Sequence, residues 1–387
     1  MKASTFVYPW DVNGDPEAAG RIAALGVRQA TLAAAYHSTR ALTPRHPHRR
    51  IVTAEHAAVL YPTDDRWDGR KLRPYAAGDW APGDAFGEAA AALADAGLEV
   101  HTWVVLAHNS RLGAEHPDTS VVNAYGDRYP WAPCIAQPAT RAYLVDLAAE
   151  AAVRPGARGT ELESLGWYGF QHLHAHDKTG GVPLGDAGMY LMALCFCPTC
   201  RDGYGRQGLD ADELAAAVRG ALEPLWRGAP DDGGWAGVEK LLGEANAAAT
   251  RAWRDDTART LQETAVAKVR AAAPEGFQVL LHADPVAYHV GANPGVDPAH
   301  ILSVADGVVV PCAGGPGLLT PFVEQRQPGA VVAANFGVVS GMGGSPGTLV
   351  ADAARARELG ATELRLYHAG LASDGDLEAV REALAGL

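Results

Sequence analysis

The chain is predicted to fold as a (β/α)₈ barrel, on three observations. Short apolar runs rich in Val, Leu and Tyr alternate with Ala-rich helical stretches from end to end, the pattern of repeated βα units around a parallel sheet. Eight such units can be counted. No Gly-rich phosphate fingerprint follows the first strand, as an open dinucleotide-type sheet would favour and a barrel does not need.

The units run in order. Ser4 to Tyr8 is the first strand, with a helix over Pro16 to Leu25, and Gln29 to Ala35 pairs with a helix over Ala85 to Ala96. Glu99 to Ala107 leads to Pro138 to Val153, and Gly159 to Glu163 forms strand four. Gln278 to His282 leads to Pro298 to Val304, and Gly307 to Pro311 forms strand six. Val331 to Asn335 precedes Thr348 to Leu359, and Glu363 to Tyr367 precedes Asp376 to Leu384. Several helices open on Asp, Ser or Pro and close on Gly, as capping physics favours. Two connections are long, Tyr36 to Gly83 after strand two and Trp167 to about Ala273 after strand four. Both leave strand C-terminal ends, the face on which barrels build active sites, so both are expected to wall a cleft. The second holds helical patterns near Asp212 to Arg227 and Ala236 to Ala273, split by a turn-rich stretch from Gly228 to Gly234. Its apolar stripes need burial against the barrel or each other, so residues 1–387 read as one domain in which 167–273 is a helical insertion.

Composition excludes several classes. With 387 residues, 48% hydrophobic and 20% charged, the chain can bury a large core and is neither disordered nor fibrous. A net charge of -13 and a pI near 5.5 argue against a nucleic-acid partner, since Lys and Arg are scattered except for Arg45 to Arg50. No apolar run reaches membrane-spanning length, and the start runs into a strand pattern without a secretory signal. Three of five cysteines fall within six residues, which suits a reduced, metal-carrying chain in the cytoplasm better than a disulfide framework. Homo-oligomerisation is left open by the sequence.

Two motifs carry chemistry. If Gly159 to Glu163 is extended, Glu161 and Glu163 point to one face with Cα atoms about 6.6 Å apart, from about 3.3 Å rise per residue. Mutual repulsion is then expected to raise one pKa, as a general acid near neutral pH requires. Cys195, Cys197 and Cys200 form a C-x-C-x₂-C cluster to which Cys134 can add a fourth thiolate, giving a closed, structural zinc site. Cys312 is left as a buried small hydrophobe. His172, His174 and His176 alternate in one loop and offer either a polar pocket lining or a second metal site.

These pieces, Cys134 to Arg141, Glu161-Leu162-Glu163 and Cys195 to Arg201, resemble the clan A glycoside hydrolases and within them the family 42 β-galactosidases. The resemblance spans about residues 98 to 201 and implies a barrel, zinc on Cys134, Cys195, Cys197 and Cys200, and Glu163 as proton donor. Two departures stand out. Leu162 occupies the place where that family has Asn before the acid, and strand seven, Val331 to Asn335, lacks the nucleophilic Glu, which puts double displacement in doubt.

The strand ends present further polar and aromatic residues suited to a small carbohydrate or glycoside: Trp10 and Asp11, Tyr36 and His37, His108 and Asn109, His282, Asn335, Tyr367 and His368, with Trp167, Tyr168 and His172 beyond strand four. Asp284 is the best second carboxylate, with Glu161 as an alternative. Carboxyls about 6.5–9.5 Å apart would imply inversion and about 5–5.5 Å retention. Two other readings compete with hydrolysis: a metal-dependent isomerase, aldolase or lyase using His172, His174, His282 and Glu163, and a non-catalytic carbohydrate-binding barrel.

Overall fold

The computed structural model describes residues 1–174, 176–231 and 233–386. Eight parallel strands, β1 (Lys2–Val7), β2 (Gln29–Tyr36), β3 (Glu99–Val105), β4 (Gly159–Glu163), β5 (Gln278–His282), β6 (Gly307–Pro311), β7 (Val331–Gly337) and β8 (Glu363–Tyr367), each pair with their sequence neighbours. Pairing of β1 with both β8 and β2 closes the sheet into a (β/α)₈ barrel. Alternation within each strand sorts the residues. Leu32, Val104, Leu162, Leu281, Val308, Val310, Val332 and Leu364 are buried in the apolar layer shared with the surrounding helices, each such burial stabilising by about 1.5–3 kcal/mol.

Capping fixes the helix starts. Asp84 accepts from the Gly87 N–H at 3.0 Å, Asp297 from His300 at 2.7 Å, and Asp210 from both Asp212 and Glu213 at 2.9 Å. The long pattern over Ala236 to Ala273 differs from expectation: Gly243, at φ 83°, breaks it into Gly234–Leu242 and Glu244–Ala272. The second piece packs on Pro138–Ala152 and leads into β5, so the last helix of the insertion also serves as the barrel's own crossover. No described helix is long and apolar enough to cross a membrane.

The connection after β2 contains a hairpin, Thr39–Leu42 with Ile51–Ala54, and a short strand, Ala58–Val59, that pairs antiparallel with β2. A third elaboration follows β3: a helix, Ser110–Glu115, then a hairpin of Ser120–Val122 with Arg128–Pro133. That hairpin delivers Cys134.

Candidate active site

The upper end of the barrel interior is built around Glu163, the last residue of β4. Its Oε2 accepts from Trp103 Nε1 at 2.8 Å and from Tyr367 Oη at 3.3 Å, and His282 Nδ1 lies 3.7 Å away. The residue is 3% exposed, more enclosed than a solvent-filled bowl would leave it. Trp103 reaches it because β3 and β4 pair Trp103 with Glu161 and Val105 with Glu163. Above it stands a belt of rings. Tyr8 donates to Tyr36 Oη at 2.9 Å and stacks on Trp10, His37 lies on Tyr36 at 4.2 Å, and His108 lies on Tyr168 at 4.3 Å. Tyr168 donates to the His172 carbonyl at 3.0 Å, and Tyr367 packs against His368 at 3.8 Å.

Burial keeps this belt neutral. Desolvation, followed by the neighbouring imidazoles of His37 and His172, pushes His108 down to about 2, and burial takes His368 to about 3. Burial likewise lowers His37 and raises Tyr36, Tyr168 and Tyr367, so the rings offer uncharged donors and flat faces.

Backbone strain marks the same mouth. Ser164, directly after Glu163, and His368, directly after β8, have φ of 58° and 64° and are the two non-glycine residues in the left-handed region among those described. Such conformations cost roughly 1–3 kcal/mol each and concentrate where function demands a particular backbone path. Hydrogen bonds of Ser164 N–H to the Ala292 carbonyl (2.8 Å), and of Ala107 N–H to the Ser164 carbonyl (3.1 Å), hold the first in place.

Glu161 is placed differently from the expected half of an acid pair. Wholly buried, its Oε1 accepts from Arg365 Nε at 2.6 Å and from Thr31 at 3.1 Å, with Gln29 at 3.4 Å. Burial alone would raise its pKa, but Arg365 foremost and His282 next hold the carboxyl down at about 2. Repulsion by Glu163 does not set the state of Glu161, because a guanidinium sits closer than the second acid can. It is part of the barrel's ionic core.

Other predicted site residues take structural places. Asn109 caps Ser110–Glu115 by accepting from Leu112 N–H at 2.9 Å. Trp167 is buried, donates to the Arg254 carbonyl at 3.0 Å and lies under the Arg254 guanidinium, so its face is occupied. Asp11 accepts from Tyr8 N–H at 2.9 Å beside Arg45 and Gly370, where burial lifts its pKa to about 7. Trp10, nearly fully buried against Tyr8, forms wall rather than lip. Asn335, two residues before the end of β7, has a buried, unpartnered Oδ1.

Asp284 lines a cleft of about 360 Å³ together with His172, Asp186, Tyr288 and His289 among others. Its Oδ2 lies 3.1 Å from His289 Nδ1, and Asp186 lies 3.6 Å from the other ring nitrogen. Burial alone would lower His289, yet these carboxylates hold it above its ordinary value.

Cys134, Cys195, Cys197 and Cys200 are all buried and free, with their sulfurs within 4.8 Å of one another. Cys134 Sγ lies 3.6 Å from the sulfurs of both Cys197 and Cys200. A tetrahedral ion with about 2.3 Å metal–sulfur bonds needs sulfurs about 3.8 Å apart, so the set fits a metal. N–H groups of Val122 and Cys197 point at Cys195 Sγ, both at 3.5 Å, as suits a thiolate. Among the described residues no other group of three or more potential ligands converges in this way. His172, His174 and His176 are exposed and do not gather.

Trp103, Tyr8, Arg365 and His289 were not singled out from the sequence. Alternation offered a signal for two of them. Trp103 lies two residues before Val105 on β3, and Glu363, Arg365 and Tyr367 share the inward face of β8, where a charged pair is out of place unless it meets another charge.

No family model matches the chain, and no curated protein matches it. Solved structures do. An α-L-fucosidase isoenzyme 2 from Paenibacillus thiaminolyticus aligns with TM-score 0.59 and 12% identity over 100% of this chain and 49% of that one. The catalytic domain of β-amylase from Paenibacillus polymyxa aligns with TM-score 0.58 and 12% identity over 100% and 98%. A β-galactosidase from Bacillus circulans sp. alkalophilus gives 0.55 and 11% over 100% and 56%. The chain thus spans about half the length of the fucosidase and the galactosidase, and identities this low speak to fold. In fold the chain is similar to these barrels, and it carries the four-cysteine cluster that its sequence motif predicted.

Proposed function

We propose that the chain is a glycosidase acting on a small carbohydrate substrate, with Glu163 as general acid. The observation that supports this best is Glu163 itself: a carboxyl at the C-terminal end of β4, held by Trp103 and Tyr367 beneath a belt of neutral imidazole and phenol rings. Such a carboxyl has the position needed to protonate a glycosidic oxygen, and the rings suit sugar faces and hydroxyls. Asp284, oriented by His289, is the candidate for activating water, since β7 carries Asn335 and no carboxylate near its C-terminal end. Cys134, Cys195, Cys197 and Cys200 would hold zinc; with four protein ligands it keeps no open position and would brace the segment beyond β4. The free thiols suit the cytoplasm.

Nitrophenyl glycosides of several sugars, assayed with wild type, Glu163→Gln and Asp284→Asn, test the reading. Loss of turnover by about 10²-fold or more in Glu163→Gln, with sugar binding retained in calorimetry, is expected. Unchanged turnover in that variant overturns the assignment. The lack of a carboxylate on β7 favours a second reading, a carbohydrate-binding barrel without catalysis, for which binding without turnover across the panel is the signature. Metal analysis should find one tightly held zinc per chain, retained when activity is assayed in chelator.

A further inference from the structure

His282 was expected to touch substrate, but its place in the barrel suggests another role. The ring, 2% exposed at the end of β5, sits between the two strand-four acids: Nε2 is 3.7 Å from Glu161 Oε2 and Nδ1 is 3.7 Å from Glu163 Oε2. Glu161 Oε2 and His282 Nε2 are both buried and without a hydrogen-bond partner. At 3.7 Å each gap is longer than a hydrogen bond, so a small shift of the ring or of either carboxyl completes one. On its β1 side the ring packs T-shaped on Phe6, centroids 5.5 Å apart, which offers no charge.

The surrounding charges limit where a proton can rest. Arg365 is shared between Glu161 and Glu363, 2.6 and 2.8 Å away, and His101 is the further basic group acting on Glu161. Around Glu163 stand Trp103, Tyr36, Tyr168 and Tyr367, all uncharged, together with His37. His282 therefore faces both acids, at 3.7 Å from each, while Arg365 pairs with Glu161 and Glu363.

We propose that His282 is a positioning residue that shares one proton with Glu163, so that Arg365, Glu161 and His282 together set the charge of the acid at the mouth. With the proton on His282, Glu163 is a carboxylate facing an imidazolium; with the proton on Glu163 Oε2, His282 Nδ1 is a bare acceptor. This deepens the glycosidase reading and rests on it only for the use of Glu163 as an acid. The coupling itself is a property of the resting protein.

The test is a pH titration by NMR of full-length protein carrying δ-¹³C glutamate and ring-¹⁵N histidine, with Glu163 assigned from Glu163→Gln and His282 from His282→Gln. Each resonance should respond in both macroscopic steps of the pair. Removing the cation should raise the Glu163 midpoint by about 1–3 pH units in His282→Gln, and Glu163→Gln should lower the His282 midpoint by a comparable amount. Midpoints unmoved by either substitution overturn the proposal. Should His282→Gln fail to fold, the His282 midpoint in Glu163→Gln decides alone. Because no turnover is read, a chain inactive on every glycoside can still show the coupling, and an active one can lack it.

Discussion

Two layers of the barrel interior, one turn of pleat apart on β4, hold the same side chain in opposite circumstances. In the lower layer Glu161 meets Arg365 and Thr31 with no exposure, a closed ion pair. In the upper layer Glu163 meets neutral donors, Trp103 and Tyr367, with an imidazole 3.7 Å away. Identity and facing are the same; the residues brought in from β2, β3, β5 and β8 differ. An acid whose charge is already neutralised at short range is a structural element, whereas one met only by neutral donors and an imidazole has no fixed cation holding it.

Substitutions in the two layers should have different consequences. The largest effect should come from the chemistry: Glu163→Gln is expected to lower turnover by about 10²–10⁴-fold on a responsive glycoside, with thermal stability nearly unchanged. Next, Arg365→Met leaves Glu161 buried without its partner and should cost about 3–5 kcal/mol in urea unfolding; a far smaller loss would mean the pair is not the closed element described. Trp103→Phe removes one N–H donated to a carboxylate while keeping an aromatic ring, and a loss of about 1.5–3 kcal/mol is expected in either stability or transition-state binding. Tyr367→Phe, which deletes the longer 3.3 Å contact, should cost about 0.5–1.5 kcal/mol.

The lower layer also has a pH signature. Glu161 is held at about 2, below its ordinary value of 4.5, so its contribution to stability is complete above pH 4.5 and is lost as pH falls toward about 2. Unfolding free energy measured across that window should therefore decline in wild type. In a folded Glu161→Gln variant the decline should be smaller.

Much of this arrangement was legible in the residues. The eight strands are local patterns of Val, Leu and Tyr, and β4, β5, β6 and β8 start and stop where those patterns and their flanking Gly, Pro and Asp predict. The C-x-C-x₂-C spacing is equally local, and Cys134 joins it across a hairpin that was not foreseen. Gly243 within the long helical pattern was visible too, yet its effect depends on a backbone turn that composition does not announce. For the polar residues the result is mixed. Glu163, Tyr36, His37, His108, Tyr168, His282, Tyr367 and His368 do meet at the mouth, while Asn109, Trp167 and Asp11 are taken up by a cap, a helix and a loop.

By itself, then, the chain's sequence determined the barrel, the face on which polar residues collect and the four thiols, because periodicity, capping and short spacings are properties of neighbouring residues. Which acid is neutralised and which stays available depends on packing across the barrel. Arg365 lies 204 residues from Glu161 along the chain, and the energy of a buried charge depends on what stands a few ångströms away in space, whatever the distance in sequence.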